Sequence, residues 1–382
     1  MPPQPISQDT DEDDSILLPW EVDWVKLQPF LKKNGYKLRP RYHPNWKPPW
    51  TRFWNLNKDM SDYSDWLWTS VPKLIDAVRV RDGAKVVLKR VVLAEDNVEI
   101  LQFLNTPKMR EDSRNNTVPL LDVLLLPNDS GLETSSPSAL LVMPMLFPLM
   151  SDSLPYRHVK EVLELLEQLI QGIQFLHEHH IAHRDACCGN FLMDPTNVIP
   201  SSFHHAANYC QPDGKTRIIY RDRCAVAPVK YYLIDFETAR FFAPGTGCVG
   251  YYGQVKYVPE MSGTIPYDPF KLDVFQLGDV VDRFVQEYEG LDFLSPLAES
   301  MRYFDPELRP TATESLSILR QIIASLDYAC LSGDIWLRKT TAEERGRKSP
   351  PPQSRATRRL ISFIEWWIRL IMLFQKRTSN PV

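Results

Sequence analysis

The stretch "HIAHRDACCGNFLMD" (180–194) sets His183, Arg184 and Asp185 in a row, with Asn190 five residues after the aspartate. A carboxylate at Asp185 can orient or deprotonate an acceptor hydroxyl, and the amide oxygen of Asn190 is a ligand Mg²⁺ accepts. This is the spacing of a phosphoryl-transfer loop. Between the two lie Cys187 and Cys188, which bring no positive charge to it.

Phosphoryl transfer needs a positioned hydroxyl, neutralised phosphate charge and metal ions, and little covalent help. The chain offers residues for the other tasks as well. Lys89 ends "VVLK" (86–89) and could hold the α- and β-phosphates, while Asp235 in "IDFE" (234–237) is a second oxygen ligand for Mg²⁺. "FHHAANYC" (203–210) with Cys224 has no usual zinc spacing and reads as loop.

The elements that must position these groups are legible in the pattern. Trp20, Trp24, Leu27 and Leu31 recur at helical spacing, and Pro29 predicts a kink or an early stop. "YKLRPRYHPNWKPPW" (36–50) reads as an extended segment pinned by tryptophans. "KLIDAVRV" and "AKVVLKRVV" flank Asp82-Gly83, a strong hairpin signal. "EDNVEILQFLN" (95–105) looks helical, and "ALLVMPML" (139–146) reads as a buried strand running into a connector. Val162, Leu166, Leu169, Ile173 and Leu176 mark the packed face of a long helix that ends just before the loop. "VKYYLIDFETA" (229–239) is a strand running into a loop, and from 268 onward the pattern is mostly helical. Strands come first and helices later, so the expected class is α+β with two unequal lobes.

Composition sets the frame. The chain has 382 residues, a net charge of -4, 43% hydrophobic and 24% charged residues, which suits one large domain or two modest lobes. The absence of a basic excess argues against a nucleic-acid partner. Six cysteines without a repeating spacing, and no hydrophobic signal segment, lead us to expect a cytoplasmic protein with reduced thiols. Glycine is scarce beside proline, 15 against 32.

Taken together, these stretches resemble the signature set of eukaryotic protein kinases. "VVLK" is similar to the strand-three lysine motif, "HRDACCGN" to the catalytic loop and "IDFE" to the metal-binding motif. "VPE" (258–260) resembles the anchor that closes the activation segment. "DVFQLG" (273–278) resembles the large-lobe helix motif, and "DPELRPTA" (305–312) the late motif whose arginine pairs with that anchor, here Arg309 with Glu260. "YKLRPRYHPNWKP", with the long segment between Asn190 and Asp235, also resembles a group of fungal kinase-like proteins with a degenerate glycine-rich loop.

The resemblance implies a bilobal kinase-like fold. With composition and spacing at the two ends, the expected division is a disordered acidic N-terminus (1–18), an extension and small lobe (19–142), a large lobe (143–330), a basic linker (331–359) and a C-terminal amphipathic helix (360–377). The resemblance implies a serine/threonine-type phosphotransferase using ATP and Mg, of weak activity, with a non-catalytic nucleotide-binding or scaffold module as the alternative. Asp185, Lys89 and Asn190 would be catalytic, and Asn190 and Asp235 would hold the metal. Met143, Pro144 and Leu146 would form the adenine connector. His183 would pack beneath the loop, and Arg184 would pair with a phosphorylated activation segment. The partner is a protein substrate or scaffold. Flanked by the basic linker, "LISFIEWWIRLIMLF" (360–374) suggests peripheral contact with an anionic membrane.

Four departures temper this. From residue 36 to 82 there is no glycine, so no glycine-rich loop covers the phosphates. Glu237 replaces the glycine of the metal-binding motif, where its charge is expected to oppose phosphate. Cys187 replaces the loop lysine. Counting back from "LNTP" places Asn97 where a helix glutamate should pair with Lys89, which leaves Glu99 as the candidate.

Overall fold

The computed structural model of the chain describes residues 17–51, 62–127 and 136–345. The acidic opening up to residue 16, the linker beyond 345 and the apolar segment at 360–377 lie outside the described residues.

Helix α1 (Pro19–Lys33) starts with proline in its first turn, where a missing N–H costs nothing. It continues past Pro29, so of the expected kink or early stop the stop does not occur, because Pro29 sits on the exposed face where solvent can serve the carbonyl it leaves unpaired. Trp24, Leu27 and Leu31 point inward, at most 1% exposed. Glu21 joins them in the interior, where its two oxygens take a forked pair of hydrogen bonds from Arg41 at 2.7 and 2.8 Å. With both side chains sealed, Glu21→Ala is expected to cost ~3–5 kcal/mol by leaving a buried guanidinium unpaired. Denaturant titration reads this, and a loss below ~1 kcal/mol would contradict it.

Strands β1 (Tyr36–Leu38), β2 (Leu74–Arg79), β3 (Lys85–Val92), β4 (Asp122–Leu125) and β5 (Ser138–Pro144) form one antiparallel sheet in the order β1-β2-β3-β5-β4. Gly83, at φ +72°, makes the β2–β3 turn that the sequence predicts. Helices α2 (Val98–Leu104) and α3 (Pro107–Arg110) lie between β3 and β4. The period of two divides the sheet. Ile75, Ala77, Val86, Leu88, Leu140 and Val142 face a core shared with α1. Val87, Val91, Ala139 and Leu141 face the opposite way, into the core of the helical part.

That helical part is built around α4 (Val159–Glu178), whose expected stripe is buried to within 1%. Helix α5 (Pro269–Glu287) is capped by Asp268, and α6 (Ser295–Met301) and α7 (Ala312–Ser325) pack beside it and α4. Short strands β6 (Phe147–Pro148), β8 (Phe191–Met193) and β9 (Tyr231–Leu233) make a small sheet, while β7 (Ile181–Ala182) pairs with β10 (Arg240–Phe241). β11 (Cys248–Gly250) pairs with β12 (Ser262–Tyr267). The class is therefore mixed α+β.

Part of the stretch expected as linker from residue 331 is packed against the helical part. β14 (Trp336–Leu337) pairs with β13 (Tyr288–Glu289), and Ile335 is 1% exposed. Packing thus holds a stretch whose composition reads as linker. Among the described residues no helix is long and apolar enough to cross a membrane. None of the six cysteines forms a disulfide.

Candidate functional site

Lys89 projects from β3 on the face turned toward the helical part. Its Nζ donates to Asp235 Oδ1 and also meets Glu237 Oε1, each at 2.8 Å. Burial lowers the lysine's affinity for its proton, but the two carboxylates outweigh burial and hold its pKa above the ordinary lysine value. Asp235 adopts a left-handed backbone at φ +63°, turning the chain out of β9 so that its carboxylate and that of Glu237 meet the same ammonium.

This corrects the expectation for Glu99. Helix α2 starts only at Val98, because Asn97 adopts a left-handed φ of +47° and ends the helical path there. Val98, Ile100, Leu101 and Leu104 take the inward face, which leaves Glu99 exposed on the other. Asn97 has a role of its own, since its Nδ2 donates to the Glu237 carbonyl at 2.5 Å. The carboxylate that joins Asp235 at Lys89 therefore comes from the metal-motif loop.

The expected repulsion by Glu237 is lessened by the same contact, although Lys89 is shared with Asp235 and one ammonium faces two carboxylates. A metal drawn to Asp235 would leave Glu237 to hold the lysine in place. If the site takes Mg-ATP, as proposed below, Glu237→Gln is expected to weaken that binding by about tenfold, the value of one charge-assisted hydrogen bond. Titration calorimetry checks this, and tighter binding would restore the repulsion account.

On the loop, Asp185 and Asn190 are 4% and 3% exposed. Asn190 Nδ2 donates to the Asp185 carbonyl at 2.9 Å, and the Asn190 carbonyl accepts from Ile234 N at 2.9 Å. Asn190 is thereby tied to the strand end that carries Asp235. His183 packs beneath as expected, its ring 5.0 Å from that of Phe236 and its Nε2 3.0 Å from the Ile234 carbonyl.

Sequence reading missed what holds the loop. Asp273 on α5 is fully buried and accepts from the backbone N–H of His183 at 2.8 Å and of Arg184 at 2.6 Å. Gln276, one turn later, accepts from Ala186 N at 2.9 Å. Two polar residues three apart on an otherwise apolar helix face were the available signal.

Arg184 already has partners within the unmodified chain. It is 2% exposed, its Nε donates to the Thr238 carbonyl at 2.7 Å, and its guanidinium lies 3.8 Å from the centre of the Tyr252 ring. An aromatic face thus meets the cation expected to pair with an anion. Cys187, in the expected lysine's place, is buried beside Asp185. Burial first, and the Asp185 charge second, push its pKa up, so it remains a neutral thiol. Gln254 N donates to Asp185 Oδ1 at 2.7 Å. Gly253 permits this approach at φ +75°, where a Cβ would come within 2.6 Å of the same oxygen.

Met143 and Pro144 are half-buried at the end of β5 and Leu146 is 8% exposed. Met145 N donates to the Lys85 carbonyl at 3.2 Å, which extends the ladder into the connector. Across the sheet Val87 stands between Met143 and Asp76. Asp76 pairs with Arg39, whose Nε donates to Oδ1 at 2.9 Å.

The oxygen donors Asp235 and Asn190 suit Mg²⁺, which takes one or two protein oxygens and completes its shell from phosphates and water. Among the described residues no cluster of three or more His, Cys, Asp or Glu side chains offers a softer metal site. A search against models of known protein families finds none that matches this chain.

Proposed function

We propose that this chain is a bilobal, protein-kinase-like phosphotransferase that moves the γ-phosphate of Mg-ATP to a serine or threonine hydroxyl of a protein, slowly. The observation that carries this reading is Lys89, at 2.8 Å from both Asp235 and Glu237, with Asn190 tied both to the strand end that carries Asp235 and to the Asp185 carbonyl. In this reading the phosphates reach Lys89, and the rest of the nucleotide extends toward the end of β5 that carries Met143, Pro144 and Leu146. Mg²⁺, when bound, neutralises phosphate charge as it develops. Lys89 presents a fixed ammonium to the phosphates. Asp185 orients the acceptor hydroxyl and takes its proton. Asn190 fixes the Asp185 backbone through its amide N–H and offers its oxygen to the metal.

A second reading, nucleotide binding or scaffolding without turnover, is favoured by one contact. Gln254 N occupies one oxygen of the Asp185 carboxylate. Incubation of the full chain with Mg-ATP and casein separates the two. Phosphate on casein from the parent and none from Lys89→Ala supports transfer. Mg-ATP binding without transfer supports the second reading, and a parent that binds no Mg-ATP sinks both.

A further inference from the structure

Inner-face residues of the sheet stand in rows. Leu74, Lys89 and Leu141 form one row, and Asp76, Val87 and Met143 the next, about 7 Å along the strands. Leu38 pairs with Ala77, so Arg39 falls beside Asp76 on this same face. Arg39 and Asp76 are only 13% and 14% exposed. Besides Asp76, the guanidinium donates to the Leu67 carbonyl at 2.5 Å and to the Tyr42 hydroxyl at 3.4 Å. Its Nη1 also lies 3.4 Å from His204 Nε2.

His204, 3% exposed, comes from the long segment between β8 and β9. That segment is fastened to the chain ahead of β2, where Leu67 packs with Ala207, Tyr209 and Cys210. Burial, and then the Arg39 charge, lower the His204 pKa to about 3, so its ring is neutral and can accept from the guanidinium. The Asp76 carboxyl stays below the ordinary range because Arg39 outweighs its burial. A mostly buried ion pair therefore lies beside Val87 and Met143, with a loop of the helical part against it.

A nucleobase needs apolar surface on its two faces. To reach it here it would have to displace a guanidinium whose donors are already engaged and leave the Asp76 carboxylate without its partner, which is a heavy penalty for a buried charge.

We propose that the Arg39–Asp76 pair, closed over by His204, fills the slot a nucleobase would need, so that the Lys89 site selects its ligand by the Mg-polyphosphate alone. This rests on the phosphotransferase reading above and narrows its ligand. The base contributes no affinity, and any Mg-triphosphate chain of the right length suffices.

Titration calorimetry on the full chain tests it with Mg-ATP and Mg-tripolyphosphate, for the parent, Arg39→Leu/Asp76→Val and His204→Ala. The parent is expected to bind both ligands within about threefold. The double variant is expected to gain about tenfold or more for Mg-ATP with Mg-tripolyphosphate unchanged. A parent that binds neither ligand, beside a variant that binds Mg-ATP, overturns the claim that the Mg-polyphosphate alone suffices. A parent that prefers Mg-ATP by more than about tenfold overturns the proposal and leaves the nucleotide site standing. This parent comparison holds even where the double variant does not fold. Failure of parent and variants to bind either ligand removes the phosphotransferase reading, and the proposal with it.

Discussion

Asp185→Asn is expected to lower phosphoryl transfer by ~10²–10⁴-fold while leaving Mg-ATP affinity within about twofold. Asparagine keeps an oxygen where Asp185 Oδ1 accepts from Gln254 N at 2.7 Å, so the loop is held as before. It removes the basicity that would take the hydroxyl proton. The carboxylate also lies too deep to be replaced casually, being 4% exposed above the thiol of Cys187. Steady-state transfer to casein and a binding titration on the same preparation give the two numbers. Equal losses in both would mean that Asp185 serves the architecture and no proton transfer.

Glu260→Ala is expected to destabilise the chain by ~3–5 kcal/mol. Its oxygens accept from Arg309 at 2.5 and 2.7 Å, and the Arg309 side chain is fully buried. Arg309 also donates to the Tyr303 carbonyl at 2.6 Å and lies 4.8 Å from the centre of the Phe275 ring, so it cannot swing to water when its partner is removed. The cost is that of a stranded charge, and it exceeds what the pair itself contributes. Urea unfolding measures it. Because the pair fastens the segment after β11 to α5 and α7, amide exchange should rise first between 248 and 260. A midpoint unchanged from the parent would show that the segment is held by other means.

Periodicity made the hairpin and α4 legible. The Asp82-Gly83 turn and the stripe from Val162 to Leu176 are local patterns, and local patterns survive in one dimension. The order of the polar stretches likewise named Lys89, Asp185, Asn190 and Asp235, four residues that the fold does bring to one floor. What failed is what local pattern cannot carry. Lys89 and Asp235 are 146 residues apart, and whether Glu99 or Glu237 also meets the ammonium turns on a left-handed residue at Asn97. Arg39 and Asp76 are unremarkable charges in sequence. Only strand register shows that both face inward, and only the packing of Leu67 on Tyr209 brings His204 to them. That the Tyr252 ring covers the Arg184 guanidinium could not be read from "GYYGQVKY", where nothing distinguishes one tyrosine from the next. Pro29 was expected to kink α1 or stop it early, and the helix does not stop, since propensity does not know which face of a helix meets solvent.

The central claim is that Lys89, Asp235 and Glu237 form a site for the phosphates of a Mg-bound ligand. The most direct measurement is titration calorimetry of Mg-ATP into the full chain and into Lys89→Ala, each with and without Mg²⁺. The account predicts Mg-dependent binding by the parent and a loss of at least about tenfold on removing the ammonium. Equal affinity of parent and Lys89→Ala, or parent binding indifferent to Mg²⁺, would contradict it.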